Sequence, residues 1–237
     1  MLTASPPQRP LEYAEQSLAT ALLDGSYPPG STLPAERALA ERLGITRPTL
    51  REALRRLERD GWLRVHQGKR TVVTDFWREG GLNVLSALVR YSRQLPADFI
   101  PNLLAIRPAL APEYVRAAVE RDADAVVARL EEYPLLPDTA EAFAAFDWSL
   151  HHLLTEGSGN PIYTLILNGF SGVYERVASF FFSYPEARAG SRSYYAALLA
   201  VARRGDAARA ERLTRIAMRE TIALWQRAGR PPKEGEL

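Results

Sequence analysis

Residues 33–63 carry the feature that most constrains this fold, two short helical patterns separated by the turn Gly44-Ile45-Thr46. In the second pattern, apolar residues recur every three or four positions, which is the spacing of one buried helix face. These residues are Leu50, Ala53, Leu54 and Leu57. Arg51 and Arg55 fall on the opposite side of the same helix. The stretch therefore predicts a helix-turn-helix whose second helix presents cations to solvent.

The ends of the two helices carry their own signals. Gly44 is suited to the left-handed conformation that ends a helix, and Thr46 is a good N-cap for the next one. A helix N-terminus with projecting arginines suits phosphate and the major-groove edge of guanine. The alternative is a plain helical hairpin whose arginines are only solvated.

Two β-rich runs follow the second helix at once, at residues 62–65 and 70–74. The turn between them, His66-Gln67-Gly68-Lys69, is basic. A hairpin in this place is typical of a wing, and a basic wing tip can enter the minor groove of DNA. The combination favours a winged helix-turn-helix DNA-binding domain at residues 11–74 over the plain hairpin.

Charge is concentrated in this first part of the chain. The 237 residues carry a net charge of only +2, yet residues 34–73 hold 10 Lys or Arg against 5 Asp or Glu. Residues 81–237 hold 18 of each sign. We therefore expect the first domain alone to contact phosphate.

Several classes of protein are disfavoured by what the sequence lacks. The chain has no cysteine, which excludes disulfides and cysteine-based zinc sites. It has no signal-peptide pattern and no run of 18 apolar residues, so we expect a cytoplasmic protein without a membrane partner. It also lacks the common hydrolase, phosphate-loop and metalloprotease motifs, so we expect no enzyme activity.

The remaining chain is predicted to be helical. A first helix is expected at 11–23 after a disordered segment at 1–10, and a linker at 75–81 precedes an all-α domain at 82–230 and a disordered tail at 231–237. The helical patterns in the all-α domain are 82–91, 97–110, 112–121, 123–132, 140–157, 162–184, 185–204 and 207–228. The fold class is thus mainly α, a winged helix followed by a bundle of six to eight helices.

Two features of the helical domain allow more than one interpretation. Arg107 lies within the apolar run 103–110, either at a rim where it extends to water or as a receptor for an anionic group. Met218, Thr221 and Trp225 form one helical stripe. Such a stripe is more often plain core than the wall of a pocket.

The motifs together resemble those of the GntR superfamily of bacterial regulators and, within it, the FadR group that regulates fatty acid metabolism. Leu33-Pro-Ala-Glu-Arg37 and Thr49-Leu-Arg-Glu52 are typical of the superfamily. Phe76-Trp77, Ser158-Gly-Asn-Pro-Ile-Tyr163 and Ile166-Leu-Asn-Gly169 point to the narrower group. The resemblance spans almost the whole chain.

The resemblance implies a homodimer on a palindromic DNA operator, released when a long-chain acyl-CoA effector binds the helical domain. The positions that match the family's DNA contacts are Arg37, Thr46, Arg47, Pro48, Thr49 and Arg51, with His66, Gln67, Gly68 and Lys69 at the wing. Pro48 stands where the family has threonine, and His66-Gln67 reverses the family's order. We expect contacts to the DNA backbone to be retained.

The resemblance also implies an acyl-CoA site in the helical domain. The matching positions are Leu104, Arg107, Phe181, Met218, Thr221 and Trp225. Phe181 and Ala217 stand where the family has two tyrosines, so we expect a roomier and more apolar pocket.

Many members of the superfamily bind a divalent metal through one aspartate and three histidines. Asp147 and His151 have suitable i, i+4 spacing, but the other two ligand positions hold Tyr195 and Ala217. We therefore expect no metal and no cofactor, and we interpret His151 and His152 as a pair on a helix surface. Two other functions stay open, a regulator that responds to a small carboxylate and a helical acyl-CoA-binding protein without specific DNA binding.

Overall fold

The computed structural model describes residues 9–66, 68–85 and 99–228. The chain divides into two compact units, residues 1–94 and 95–237. The predicted disordered ends fall outside the described residues, except that Arg9 is described and Pro10 already begins the first helix. Each unit is described below by itself.

The first unit is a winged helix-turn-helix. Its elements are α1 (Pro10–Leu23), α2 (Glu36–Leu43), α3 (Arg47–Arg59), β1 (Leu63–Arg64), β2 (Val72–Val73) and α4 (Phe76–Glu79). The two strands are antiparallel, with Leu63 opposite Val73 and Arg64 opposite Val72. An isolated bridge from Thr32 to Val72 adds a third, very short segment beside the hairpin.

The core of this unit lies where α1 packs on α3. Leu50, Ala53, Leu54 and Leu57 are all buried, as their spacing predicts. Leu18 and Leu22 of α1 and Trp62 after α3 complete this core. Burial of each large side chain stabilises the unit by roughly 1.5–3 kcal/mol.

Local signals at the helix-turn-helix are confirmed. Gly44 ends α2 with φ +64°, the left-handed conformation that glycine adopts without strain. Thr46 caps α3, its hydroxyl accepting a hydrogen bond of 3.3 Å from the backbone N–H of Thr49. These two residues set the turn that separates the helices.

The predicted linker at 75–81 contains a helical turn, α4, within the first unit. Phe76 is buried, and its ring centroid lies 4.8 Å from that of Trp62. Trp77 is largely exposed. Residues 82–85 are helical, and the rest of the helix predicted at 82–91 lies outside the described residues.

The second unit is a helical bundle. Over residues 99–228 its elements are α5 (Phe99–Leu130), a 3-10 turn (Tyr133–Leu135), α6 (Ala140–Gly157), α7 (Pro161–Gly169), α8 (Ser171–Ser183), α9 (Pro185–Ala202) and α10 (Ala207–Ala228). Helix α5 packs against α6, α9 and α10. The predicted fold class, mainly α with a small β wing and an all-α domain, is confirmed.

The three helices predicted between 97 and 132 form two helical segments of α5, which meet at Asp122 as predicted. The predicted break between Leu110 and Pro112 was wrong: α5 continues through both Pro108 and Pro112. Pro112 has no N–H to donate to the carbonyl of Pro108, and the Nη1 of Arg215 donates to that carbonyl instead, at 3.2 Å. A break does occur at Asp122 (φ −153°, ψ +71°), whose carboxylate accepts from the N–H of Ala125.

The prediction of a single helix at 162–184 was also wrong. It is divided at Phe170 (φ −101°, ψ +2°) into α7 and α8. Gly169, which precedes the break, has a low helix propensity, and the N–H of Phe170 turns back to the carbonyl of Leu167 at 2.9 Å. The helix predicted at 185–204 ends slightly earlier, at Ala202.

Within the described ranges, every helix is too short or too polar to cross a membrane.

Candidate functional site

Helix α3 presents one basic face to solvent. Thr46, Arg47, Pro48 and Arg51 are exposed, and Thr49 is half-buried. Arg37, in the first turn of α2, has 81 % of its side chain exposed and lies 3.7 Å from Glu41. An exposed ion pair of this kind contributes little, so Arg37 can exchange Glu41 for a phosphate at small cost.

Glu36 connects the two helices of the helix-turn-helix. Its Oε2 lies 2.7 Å from Nε of Arg51 and 3.9 Å from a terminal nitrogen of Arg47. Because the bond to Glu36 uses Nε of Arg51, the two terminal nitrogens of that guanidinium remain available. These are the nitrogens that form a bidentate pair with O6 and N7 of guanine.

Thr46 and Thr49 form a second local pair on this face. Their hydroxyl oxygens lie 2.8 Å apart, and Thr46 also caps the helix. Both side chains are thereby held in place at the N-terminus of α3, where the helix dipole favours an anion. The N-terminus of the helix thus combines fixed hydroxyls with nearby arginines.

The wing turn is exposed as far as it is described. Gly68 has φ +72°, and His66, Gly68 and Lys69 are all exposed, the N–H of Lys69 lying 3.3 Å from the carbonyl of His66. Gln67 lies outside the described residues. Lys69 and Arg70 are exposed, and neither forms an ion pair within residues 9–66 and 68–85. Both cations therefore face solvent without a compensating carboxylate.

The helical unit contains a mainly apolar, partly open cavity of about 170 Å³. Side chains from α5, α6, α7, α8, α9 and α10 line it. The six residues expected to bind an effector all lie along this cavity: Leu104, Arg107, Phe181, Met218, Thr221 and Trp225. Ala217, the other position that departs from the family pattern, lines it too.

The apolar part of the wall is well packed around Trp225. The rings of Phe180 and Phe181 lie 5.5 and 6.5 Å from it, measured between centroids. Met218 and Trp225 are buried, so the stripe they share with Thr221 serves as core and as cavity wall together. The hydroxyl of Thr221 donates to the carbonyl of Ala217 within its own helix.

One end of the cavity is polar and centres on Asp147. Tyr174 and Tyr195 donate to its two carboxylate oxygens at 2.7 and 2.9 Å, and Arg107 lies 3.8 Å away. Burial would by itself raise the pKa of Asp147, but the basic side chains of His151 and Arg107 and the two hydroxyls hold that pKa below its usual value. The charge of half-buried Arg107 thus offsets that of buried Asp147.

His151 bridges Arg107 and Tyr114. Its Nε2 lies 3.0 Å from a terminal nitrogen of Arg107, and its Nδ1 lies 2.8 Å from the hydroxyl of Tyr114. Burial and the neighbouring Arg107 charge lower the pKa of His151 to about 4, against partial compensation by Asp147. The imidazole is therefore neutral at physiological pH. The interpretation of His151 and His152 as a surface pair was wrong, because His151 is buried.

The polar cluster does not fit a divalent metal. Both ring nitrogens of His151 already have partners, both oxygens of Asp147 accept from tyrosines, and the guanidinium of Arg107 would repel a cation. No group of three or more His, Cys, Asp or Glu side chains lies together in the described parts of the chain. We derive no metal chemistry from this site.

Sequence reasoning did not identify Tyr114 or Glu36 as parts of these sites. Tyr114 reads as one more apolar position on α5, and its partner His151 is 37 residues away. Glu36 is part of a recognised motif, but its pairing with Arg51 spans 15 residues and a turn. The predicted helix-turn-helix, which brings the start of α2 near α3, is the feature of the sequence that could have indicated this pair.

Comparisons with known proteins agree in both units. Residues 11–73 match the family model for bacterial regulatory proteins of the gntR family, and residues 74–231 match the FadR C-terminal domain. A fatty acid metabolism regulator protein from Edwardsiella ictaluri is 43% identical over 220 residues, covering 92% of this chain and 91% of that protein. One from Shewanella sp. (strain ANA-3) is 44% identical over 186 residues, covering 78% and 77%.

A solved structure shares the fold. It is that of Lar, described as controlling expression of the Listeria monocytogenes agr system, with a TM-score of 0.59 at 18% identity. The superposition covers 94% of this chain and 99% of that one.

Proposed function

This chain belongs to the GntR family of bacterial regulatory proteins and carries a FadR-type C-terminal domain, and from that premise we propose how it works. It binds a palindromic operator as a homodimer and regulates genes of fatty acid degradation and synthesis. A long-chain acyl-CoA that binds in the helical unit releases it from DNA. The observation that carries the effector proposal is the apolar cavity with one polar end inside that unit.

The basic face of α3 supports specific DNA binding. Arg51 is held by Glu36 with its terminal nitrogens free, and the exposed Lys69 of the wing supplies charge that any sequence would attract. Arginine at base edges gives specificity, whereas lysine at phosphates gives affinity that depends on salt.

The cavity supports an effector with a long apolar chain. Most of its lining residues are apolar: leucine, isoleucine, valine, alanine, phenylalanine, methionine or tryptophan. Its volume of about 170 Å³ is smaller than the roughly 300–1,000 Å³ of most ligand sites. A long acyl chain therefore binds only if lining side chains move apart.

That requirement supports a switch. A ligand shifts a conformational equilibrium only by the difference between its affinities for the two states. A chain that fits the widened cavity better than the narrow one has such a difference. In the proposal, the widened state changes the spacing of the two DNA-binding heads of the dimer, so that they no longer match both half-sites.

A small carboxylate effector is less well supported by the same site. The charge of Arg107 is already balanced by Asp147 at 3.8 Å, and His151 is neutral. A second buried carboxylate would have no cation of its own, which is costly. The contacts of Asp147 and His151 also leave no room for a metal to hold it.

The DNA-binding half of the proposal is tested by fluorescence anisotropy at about 0.15 M salt. A labelled palindromic operator of the FadR type is compared with a scrambled duplex and with a single half-site. We expect operator binding at least about 1,000-fold tighter than scrambled binding, and weak binding to the half-site. Equal affinity for operator and scrambled DNA would support a helical binding protein without specific DNA recognition instead.

A further inference from the structure

The polar end of the cavity contains a hydroxyl proton without an acceptor. Arg107 can only donate hydrogen bonds, so the Nε2 of His151 that it contacts at 3.0 Å must be the acceptor. A neutral imidazole has one N–H, which therefore lies on Nδ1. That N–H points to the hydroxyl oxygen of Tyr114, 2.8 Å away. The hydrogen bond between His151 and Tyr114 thus uses the proton of His151.

Tyr114 consequently keeps its own hydroxyl proton. Over residues 9–66, 68–85 and 99–228, the Tyr114 hydroxyl has no hydrogen-bond partner apart from His151. The residue is only 8 % exposed, and its side chain lines the cavity. A buried donor without an acceptor is unfavourable, and an acceptor on a bound ligand would remove that penalty.

Other tyrosines around the cavity differ in this respect. Tyr174 donates its proton to Asp147 at 2.7 Å. Tyr194 lies 2.9 Å from the hydroxyl of Thr214, which itself donates to the carbonyl of Ala210, so Tyr194 is the donor of that pair. Both protons are used within the protein, whereas that of Tyr114 is not.

We infer that Tyr114 is a binding residue for an uncharged oxygen acceptor of the effector, presented by the His151–Arg107 pair. The ligand atom is a carbonyl or hydroxyl oxygen rather than a carboxylate, because Arg107 and Asp147 already neutralise each other. On an acyl-CoA, two such oxygens are possible, the thioester carbonyl and a hydroxyl on the chain. The inference rests on the proposed acyl-CoA effector and adds the group that the protein recognises.

The test compares three ligands on the full-length protein by isothermal titration calorimetry. Hexadecanoyl-CoA has the thioester carbonyl, S-hexadecyl-CoA is the thioether that lacks it, and 3-hydroxyhexadecanoyl-CoA adds a chain hydroxyl. Each is measured with wild type, Tyr114→Phe and the matched control Tyr194→Phe. Urea unfolding of each variant, followed by circular dichroism, reports that the helical unit is folded.

If the acceptor is the thioester carbonyl, wild type binds hexadecanoyl-CoA about tenfold more tightly than the thioether. If it is a chain hydroxyl, wild type favours the hydroxylated ligand over hexadecanoyl-CoA by a similar factor. In either case Tyr114→Phe abolishes the preference, and Tyr194→Phe keeps it.

The inference is overturned if Tyr114→Phe binds all three ligands in the same ratios as wild type. It is also overturned if wild type does not distinguish the three ligands. Failure of wild type to bind any of them would overturn the proposed effector class, and this inference with it. Failure of this inference alone is distinguishable from failure of the proposed effector class, because only the latter abolishes binding to wild type.

Discussion

Glu36 accepts a hydrogen bond of 2.7 Å from Nε of Arg51, joining the start of α2 to the exposed face of α3. The side chain of Arg51 is 56 % exposed, so this pair is worth about 1 kcal/mol or less in stability. Its consequence is for recognition, since an arginine already held in one orientation loses less entropy when it meets a base.

Replacement of Glu36 by glutamine should therefore lower specificity more than stability. We expect affinity for the operator to fall about three- to fivefold, because Arg51 is no longer held by a carboxylate. Affinity for scrambled DNA should rise slightly, since one negative charge is removed next to the phosphates. Both affinities are measured by fluorescence anisotropy.

The matched control for this change is Glu52→Gln. Glu52 lies on α3, and its partner is Arg56, at 3.2 Å, which is not among the expected DNA contacts. The control should leave the ratio of operator to scrambled affinity as in wild type. Equal effects of the two substitutions would mean that Glu36 acts only through net charge.

Arg51 and Lys69 should have separable roles in DNA binding. Arg51→Ala is expected to cost about 1–3 kcal/mol on the operator and little on scrambled DNA. Lys69→Ala should weaken both duplexes alike and reduce the slope of log affinity against log salt by about one. A salt titration of the two variants measures this, and unchanged operator affinity in Arg51→Ala would contradict the assignment of α3 as the recognition helix.

His151 should make the stability of the protein depend on pH in a defined window. Its pKa is about 4 in the folded protein and about 6.5 in the unfolded chain, because burial and Arg107 disfavour its protonated form. Between these values the unfolded chain binds a proton that the folded one does not. The free energy of unfolding should thus fall as pH falls from 6.5 to 4, by about 3 kcal/mol in total.

The neighbours of His151 do not titrate within that window. Asp147 has its pKa lowered below 3.8, Arg107 stays charged, and burial raises the pKa of Tyr114. Urea unfolding followed by circular dichroism from pH 4 to 7.5 tests the prediction. His151→Gln, which cannot titrate, should show a flatter profile, and an identical slope in both proteins would argue against it.

Arg107 should stabilise the helical unit through Asp147. Arg107→Met leaves that carboxylate buried without its cation, which typically costs about 3–5 kcal/mol. The double variant Arg107→Met, Asp147→Asn removes both charges and should recover part of the loss. Arg212→Met, at an exposed position of α10, is the control and should stay within about 0.5 kcal/mol of wild type. Urea unfolding provides the comparison.

Local chemistry made the first unit predictable from sequence. The end of α2 at Gly44, the cap at Thr46 and the leucine spacing of α3 depend on residues a few positions apart. The helical unit was predicted as a bundle, with the bounds of α6 and α10 as observed, whereas the continuation of α5 through Pro112 and the break at Phe170 were not predicted. Pro112 signals a break, but Arg215, more than a hundred residues later, donates to the carbonyl of Pro108 in place of the N–H that Pro112 lacks.

The two sites also differ in how far they could be predicted from the sequence. The exposed arginines of α3 follow from helix periodicity, whereas the residues expected around the cavity came from family resemblance. Tyr114 and His151 illustrate what neither source provides. Their roles depend on which nitrogen of one ring meets which partner, and that pairing exists only after α5 and α6 have packed together.

Release of DNA by the effector tests the proposed switch most directly. A labelled palindromic operator, saturated with protein at about 0.15 M salt, is titrated with oleoyl-CoA and, separately, with free CoA. We expect micromolar oleoyl-CoA to lower the anisotropy to that of free DNA, and we expect free CoA to have no effect. Operator binding that persists at saturating oleoyl-CoA would contradict the proposed switch.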